Sequence, residues 1–173
     1  MIKQWCTRGN GEFESNQFKK IGSNIIFEDG VRVFHPESIE LGDNIYVGHN
    51  TILQGYYKNL MKIGTNTFIG PNCFFHSAGN ITIGENVGLA AYVKILTSYH
   101  NDNGIEIPIS FSEVVFEEVI IEDEVHVGIG SIILPGVSIG KGAQIGAGAV
   151  VTKSIPDFAV AVGVPARVVR FRT

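Results

Sequence analysis

Five histidines, His35, His49, His76, His100 and His126, are the side chains of this 173-residue chain best able to take up a proton near neutral pH. An unperturbed imidazole titrates near about pH 6.5. His100 stands apart because it opens NDNGIEIPISFSEVVFEEV, the longest stretch that interrupts an otherwise periodic chain, where a loop can cover a substrate. A base placed there can deprotonate a hydroxyl, and the oxyanion that follows needs N–H donors. The loop GIGS after Val127 supplies backbone N–H groups at a tight corner, and it reads equally well as a plain turn. The histidines show no paired spacing of the kind that converging zinc ligands produce, so no metal is expected. Cys6 and Cys73 are the only cysteines, which excludes a disulfide scaffold and fits a reduced, cytoplasmic setting.

Charge divides the chain. The formal total is −4, with no broad basic face for nucleic acid. From residue 140 onward, however, Lys141, Lys153, Arg167, Arg170 and Arg172 face Asp157 alone, a composition suited either to a phosphate-bearing ligand or to keeping the chain end soluble. Residues 101–124 hold Asp102, Glu106, Glu113, Glu117, Glu118, Glu122, Asp123 and Glu124 and no Lys or Arg, so this stretch avoids phosphate or meets a basic neighbour. Ile107, Ile109, Phe111, Val114, Val115 and Phe116 make the same arm apolar, so it is expected to lie on an adjacent subunit or to fold back as a lid on its own chain. No apolar run reaches membrane-spanning length, and no secretory signal is visible.

The elements that must position these groups follow from a repeat. A large apolar residue returns every six positions, starting at Ile21, Phe27, Val33; Leu41, Val47, Leu53; Ile63, Ile69, Phe75; Ile83, Leu89, Ile95; Ile121, Val127, Ile133; and Ile139, Ile145, Val151. Extra residues enter only after every third hexapeptide, at most 26 residues separating Ile95 from Ile121. A three-faced prism of about six coils has that pattern, each triplet forming one coil and every insertion leaving from one edge. Stacked at about 4.8 Å, six coils stand roughly 29 Å tall. Glycine follows the large residue at nine first or second hexapeptides and at no third one, so two corners need tight backbone. The fifth positions, among them Thr51, Cys73, Ser131 and Ala149, should also point inward, which makes Cys73 a small core residue rather than a nucleophile. His76 and Ser77 then share the insertion edge with His100, one coil earlier.

These hexapeptides, with IGENVGLAAYVKILTSYHND and the closing GAGAVVTKSIP and GVPARVVR, resemble the hexapeptide-repeat acyltransferases, and within them the galactoside and maltose O-acetyltransferase branch that includes capsule and O-antigen enzymes. The resemblance implies an all-β, left-handed parallel β-helix over residues 21–156 with an inserted loop at 101–118, an N-terminal cap over 1–20, and a segment over 157–173 that contributes to coenzyme A binding. It implies a homotrimer with active sites between neighbouring prisms. It places the general base at His100 and the oxyanion donor at the Ile129 amide, with acetyl-CoA contacts at Gly128, Ala147, Thr152, Lys153, Arg167 and Arg170.

One departure bears on the acceptor. The asparagine that contacts sugar in the galactoside and maltose enzymes falls at Gly70, so the expected acceptor is a surface-polysaccharide sugar or its precursor. His76, Ser77 and Asp102 are the weak candidates for touching it, and His76 reads equally as a packed or surface histidine. The leading reading is acetyl transfer from acetyl-CoA to a sugar hydroxyl. The alternative is N-acetylation of a nucleotide-linked amino sugar. A γ-type carbonic anhydrase-like metal protein is the remote third. Trp5, Phe13 and Phe18 are expected to close the open end of the prism.

Overall fold

In a computed structural model that describes residues 9–173, strands of mostly two or three residues alternate with short corners and stack into three parallel sheets. Six strands from Lys20–Ile21 to Ser138–Ile139 make the first face, and six from Arg32–Phe34 to Val150–Val151 make the third. The second face runs from Ile25–Phe27 to Ala159–Val162 and is finished by the antiparallel strand Arg167–Phe171. The result is a left-handed parallel β-solenoid of about seven turns. Six turns are complete. The seventh, beyond the six that the hexapeptides count, begins at the Ile139–Ile155 bridge and continues as Ala159–Val162, where the six-residue spacing has lapsed.

Register explains why the repeat is so regular. Leu41 pairs with Ile63, Ile63 with Ile83, Ile83 with Ile121 and Ile121 with Ile139, so each large residue sits directly over its counterpart one coil away. Sixteen of the eighteen large positions are buried; Ile21 and Phe27 are half-buried because they belong to the terminal coil. The small fifth positions are buried as well, including Thr51, Cys73, Ser131 and Ala149. Burial pushes the Cys73 thiol up to about 11, which removes the thiolate a nucleophile needs. Tight corners have a steric cause: a Cβ built on Gly64 would lie 2.6 Å from the Gly84 carbonyl carbon of the next coil. At the N-terminal end the rings of Phe13 and Phe18 close over Phe27, at centroid distances of 4.8 and 5.7 Å. Trp5 lies outside the described residues.

The three faces differ on the outside. The first shows Lys20, Glu40, Lys62, Thr82, Ile120 and Ser138, whereas the third shows Arg32, Ile52, Phe74, Lys94, Ile132 and Val150, in which the exposed Arg32 and Lys94 flank and interrupt partly exposed apolar residues. Every insertion leaves from the edge between the third face and the first. The longest does not hang free: Ser98–His100 pairs antiparallel with Val114–Phe116 of the same chain, so the root of the arm is a hairpin on its own prism. Its tip carries Ile105, 98 % exposed, and Ile109, both projecting into solvent. No helix among the described residues is long and apolar enough to cross a membrane.

Candidate active site

His100 is the last residue of the first hairpin strand, opposite Val114. Its Nδ1 lies 3.1 Å from the Ser112 carbonyl oxygen, which can only accept, so Nδ1 carries the proton and donates. In the neutral ring that leaves Nε2 as the lone-pair nitrogen, on an exposed imidazole held by the hairpin turn. The turn exists because Phe111 and Ser112 N–H groups donate back to Pro108 and Ile109, and because the Asn101 N–H donates to Glu113, continuing the ladder. The Ser112 hydroxyl is buried without a hydrogen-bond partner. Sequence reasoning reached His100 through its place at the start of the insertion; the carbonyl that orients it lies twelve residues downstream and becomes its neighbour only through strand pairing.

Ile129 sits at the corner between the second and third faces. Its carbonyl accepts from Gly148 N–H, whereas its own N–H meets no backbone acceptor among the described residues. Gly130, next to it, has φ +69°, and a Cβ there would meet nothing within 4 Å. The corner around the Ile129 amide is therefore bare. Gly128 packs so closely on the coil above that a Cβ would lie 2.6 Å from Ala147 N, which stacks Gly128, Ile129 and Ala147 along one edge. Arg167, paired with Val162 over the same corner, extends that column upward, and Arg170 lies opposite Val160 on the second face. Neither guanidinium faces a carboxylate among the described residues; Arg167 donates to the Ala166 carbonyl and Arg170 to that of Phe171. Thr152 and Lys153 are exposed at the other edge of the third face.

Two groups thus form within one chain, separated by the third face. His100, Thr152, Lys153, His76, Ser77 and Asp102 stand along the edge between the third and first faces. Gly128, Ile129, Ala147 and Arg167 stand along the edge between the second and third. Ala147 and Thr152 are five positions apart, which at about 3.3 Å per residue puts the two edges on the order of 15 Å apart. That is far beyond hydrogen-bond reach, so His100 and Ile129 do not meet within one chain.

The acceptor candidates fare differently. His76 lies on the third face, stacked on Phe74 and edge-on to Tyr56, each at 6.4 Å. Ser77 is fully buried, with its hydroxyl donating to the Gln54 carbonyl. Asp102 accepts the Gly104 N–H within the hairpin tip. Sequence reasoning missed the rings of Tyr56, Tyr57 and Phe116 beside the hairpin, because no local pattern joins residues 60 apart. A separate concavity of about 480 Å³ lies at the first coil, lined in part by Gly11, Phe34, His35 and Glu37, and it contains none of the predicted site residues. Among the described residues, no three His, Cys, Asp or Glu side chains gather as a metal-binding set.

Comparison with known proteins bears on the fold and on this site. The family model described as bacterial transferase hexapeptide (six repeats) matches residues 118–153, and that described as hexapeptide repeat of succinyl-transferase matches residues 61–93. A Schizosaccharomyces pombe protein carrying an acetyltransferase name is 42 % identical over 116 residues, which is 64 % of this chain and 52 % of that protein. The chain spans about half the length of the curated relatives it matches. A maltose O-acetyltransferase from Clostridium difficile superposes with a TM-score of 0.64 at 32 % identity, over 91 % of this chain and 72 % of that one. AntD, an N-acyltransferase from Bacillus cereus solved with dTDP and 3-hydroxybutyryl-CoA, superposes with a TM-score of 0.81 at 24 % identity, over 95 % and 92 % of the two chains.

Proposed function

Because the chain belongs to the hexapeptide-repeat superfamily of left-handed β-helix acyltransferases, we propose that it transfers an acyl group from a coenzyme A thioester to a sugar-type acceptor, with His100 as general base. The observation that carries this reading is the Nδ1 bond to the Ser112 carbonyl, which leaves Nε2 free to accept a proton at an exposed edge.

Two acceptors remain in view. The amino sugar, N-acylated while linked to a nucleotide, takes first place. Its support is the closer overall superposition on AntD, a variant of which was solved with dTDP-4-amino-4,6-dideoxyglucose and coenzyme A. The charge around His100 agrees, since an amine arrives as an ammonium ion and residues 101–124 carry acids without a single Lys or Arg. The sugar hydroxyl has the higher identity with the maltose enzyme in its favour.

In either case the chemistry of this chain is the same. The acceptor, a hydroxyl or an amine that has already released its ammonium proton to solvent, lies at His100 Nε2 and loses one further proton there as its oxygen or nitrogen attacks the thioester carbonyl carbon. The new C–N or C–O bond leaves a tetrahedral oxyanion, which accepts the Ile129 N–H of a neighbouring copy. Collapse breaks the C–S bond, and the imidazolium returns its proton to the departing thiolate. Gly128, Ala147 and Arg167 line the edge on which the donor approaches. Arg170, Thr152 and Lys153 offer cationic or hydrogen-bonding groups to its phosphates.

The assembly we propose is a homotrimer. Its support is the distance between the two edges of one third face, which only a second copy can bridge, and the partly exposed apolar pairs Ile52–Phe74 and Ile132–Val150 on that face, with Lys94 between them. The deciding experiment is thiol release from acetyl-CoA on panels of nucleotide-linked amino sugars and neutral glycosides, with donor binding followed by calorimetry and the particle mass determined alongside. Amine-dependent release from a trimer binding about one donor per protomer is expected. Absence of donor binding at high micromolar acetyl-CoA overturns the acetyl donor in both readings.

A further inference from the structure

The loop after the second coil and the base of the hairpin bring four rings together at the edge that carries His100. Tyr56 is the hub. Its ring centroid lies 4.7 Å from Tyr57, 6.0 Å from Phe116 and 6.4 Å from His76. The loop that offers Tyr56 and Tyr57 is tied down, because Tyr56 N–H donates to the Ser38 hydroxyl and the Asn59 N–H to the Tyr56 carbonyl. A cluster buried for stability would hide its rings, yet Tyr57 is 61 % exposed and Phe116 45 %.

Hairpin register sets which way this cluster faces. Phe116 pairs with Ser98 and Val114 with His100, and side chains at paired positions and at every second residue share one face of the ribbon. Phe116 and His100 are therefore diagonal neighbours on the same face, roughly 7 to 8 Å apart at Cβ, whereas Tyr99 and Val115 point to the other. An acceptor laid against the rings reaches His100 Nε2 without crossing the ribbon. The charges beside the rings are Lys58, whose ammonium stands 5.3 Å over Tyr57, and Glu117, which follows Phe116.

We propose that Tyr56, Tyr57 and Phe116 form an aromatic platform that binds the sugar acceptor by stacking on a C–H face of its ring, favouring a pyranose with an uninterrupted apolar face, such as a deoxy sugar, over a fully hydroxylated one. This rests on the acyl-transfer reading for its consequence in turnover but not for the binding itself. Aromatic faces present large, rigid apolar area at low entropic cost.

Two measurements test it. In steady state, Tyr57→Ala should raise the acceptor KM about tenfold, with kcat and the acyl-CoA KM within about twofold of the parent, while Tyr57→Phe keeps the parent KM. An acceptor KM unchanged in Tyr57→Ala, or a loss confined to kcat, overturns the platform. Because Tyr57 is exposed, its truncation should leave the melting temperature in place; Phe116→Leu serves as a second variant and should also raise the acceptor KM. The other measurement needs no turnover. Emission of the Tyr57→Trp variant is titrated, without donor, with methyl 6-deoxypyranosides and with methyl glucoside. A saturable response, tighter for the deoxy sugars, supports the platform even if no acyl transfer to sugar is ever detected. No response to either glycoside overturns it even if transfer is found.

Discussion

Two edges of the prism use the same backbone for opposite ends. At the edge between the first and second faces, every coil turns within three or four residues and the side chains close on one another. Asn24, Asn44 and Asn66 occupy the left-handed region with φ between 54° and 57°. Each donates its side-chain amide to the next asparagine up to Asn86, at 2.6, 2.8 and 3.2 Å. Beside them Ser23 donates both its N–H and its hydroxyl to Asp43, which holds that carboxyl below the usual carboxylate range. At the edge between the third and first faces no such ladder runs, connections lengthen to more than twenty residues, and His100, Tyr56, Tyr57 and Phe116 collect there. A ladder fixes spacing by bonding each coil to the next, so an edge that has one cannot lengthen. The edge without one is free to hold a loop, and that is where His100 stands.

The contrast predicts different failures at the two edges. His100→Ala should cut kcat by about 10²- to 10⁴-fold, the usual worth of a general base, with donor affinity and melting temperature unchanged; thiol-release kinetics and calorimetry check this, and near-normal turnover would remove His100 from the mechanism. Gly64→Ala should do the reverse. Its Cβ meets the Gly84 backbone, which cannot move aside, so a loss of about 1–3 kcal/mol is expected from crowding, read as a lowered urea midpoint with kcat per folded protein intact. Asn66→Ala breaks two ladder bonds and puts alanine at φ +57°, which should lower stability by about 1–2 kcal/mol, again without a kinetic effect.

The smallest expected effect tests the ladder where it lapses. In the fifth coil the left-handed position is filled by Glu124, φ +61°, held by an ion pair with Lys141 at 3.1 Å. The same contact raises the Lys141 ammonium above its ordinary range. Glu124→Asn suits the backbone better and is able to extend the ladder from Asn86, while the exposed ion pair it gives up is screened by solvent and holds little. A net gain of a few tenths of a kcal/mol, up to about 1, should appear as a higher thermal midpoint. A clear loss would mean that the ion pair, and not the backbone, sets the register of that corner.

Much of this was legible in the residues because a solenoid is nearly one-dimensional. The six-residue spacing located all eighteen inward positions, the small fifth positions, and the edge from which insertions leave, since each of these depends only on a residue's place in its own coil. The outward rows were equally open to reading: the residue before each large one gives Lys20, Glu40, Lys62, Thr82, Ile120 and Ser138 on one face and Arg32, Ile52, Phe74, Lys94, Ile132 and Val150 on another. What lay hidden involved partners far apart in the chain and outside the repeat. Spacing says nothing about whether an arm returns to its own prism, and the arm was expected as readily on a neighbour; pairing of Ser98–His100 with Val114–Phe116 settles its root.

By itself, then, the sequence determined the coil, its inward and outward rows and the edge that bears His100, because hexapeptide periodicity and side-chain alternation are local properties. Tertiary structure alone decided that the Ser112 carbonyl orients His100, that Tyr56 meets Phe116, that Ser77 is sealed inside, and that His100 and Ile129 stand on opposite edges of one face. Each of these is set by how a hairpin pairs or how coils stack, which brings together groups that no period in the chain connects.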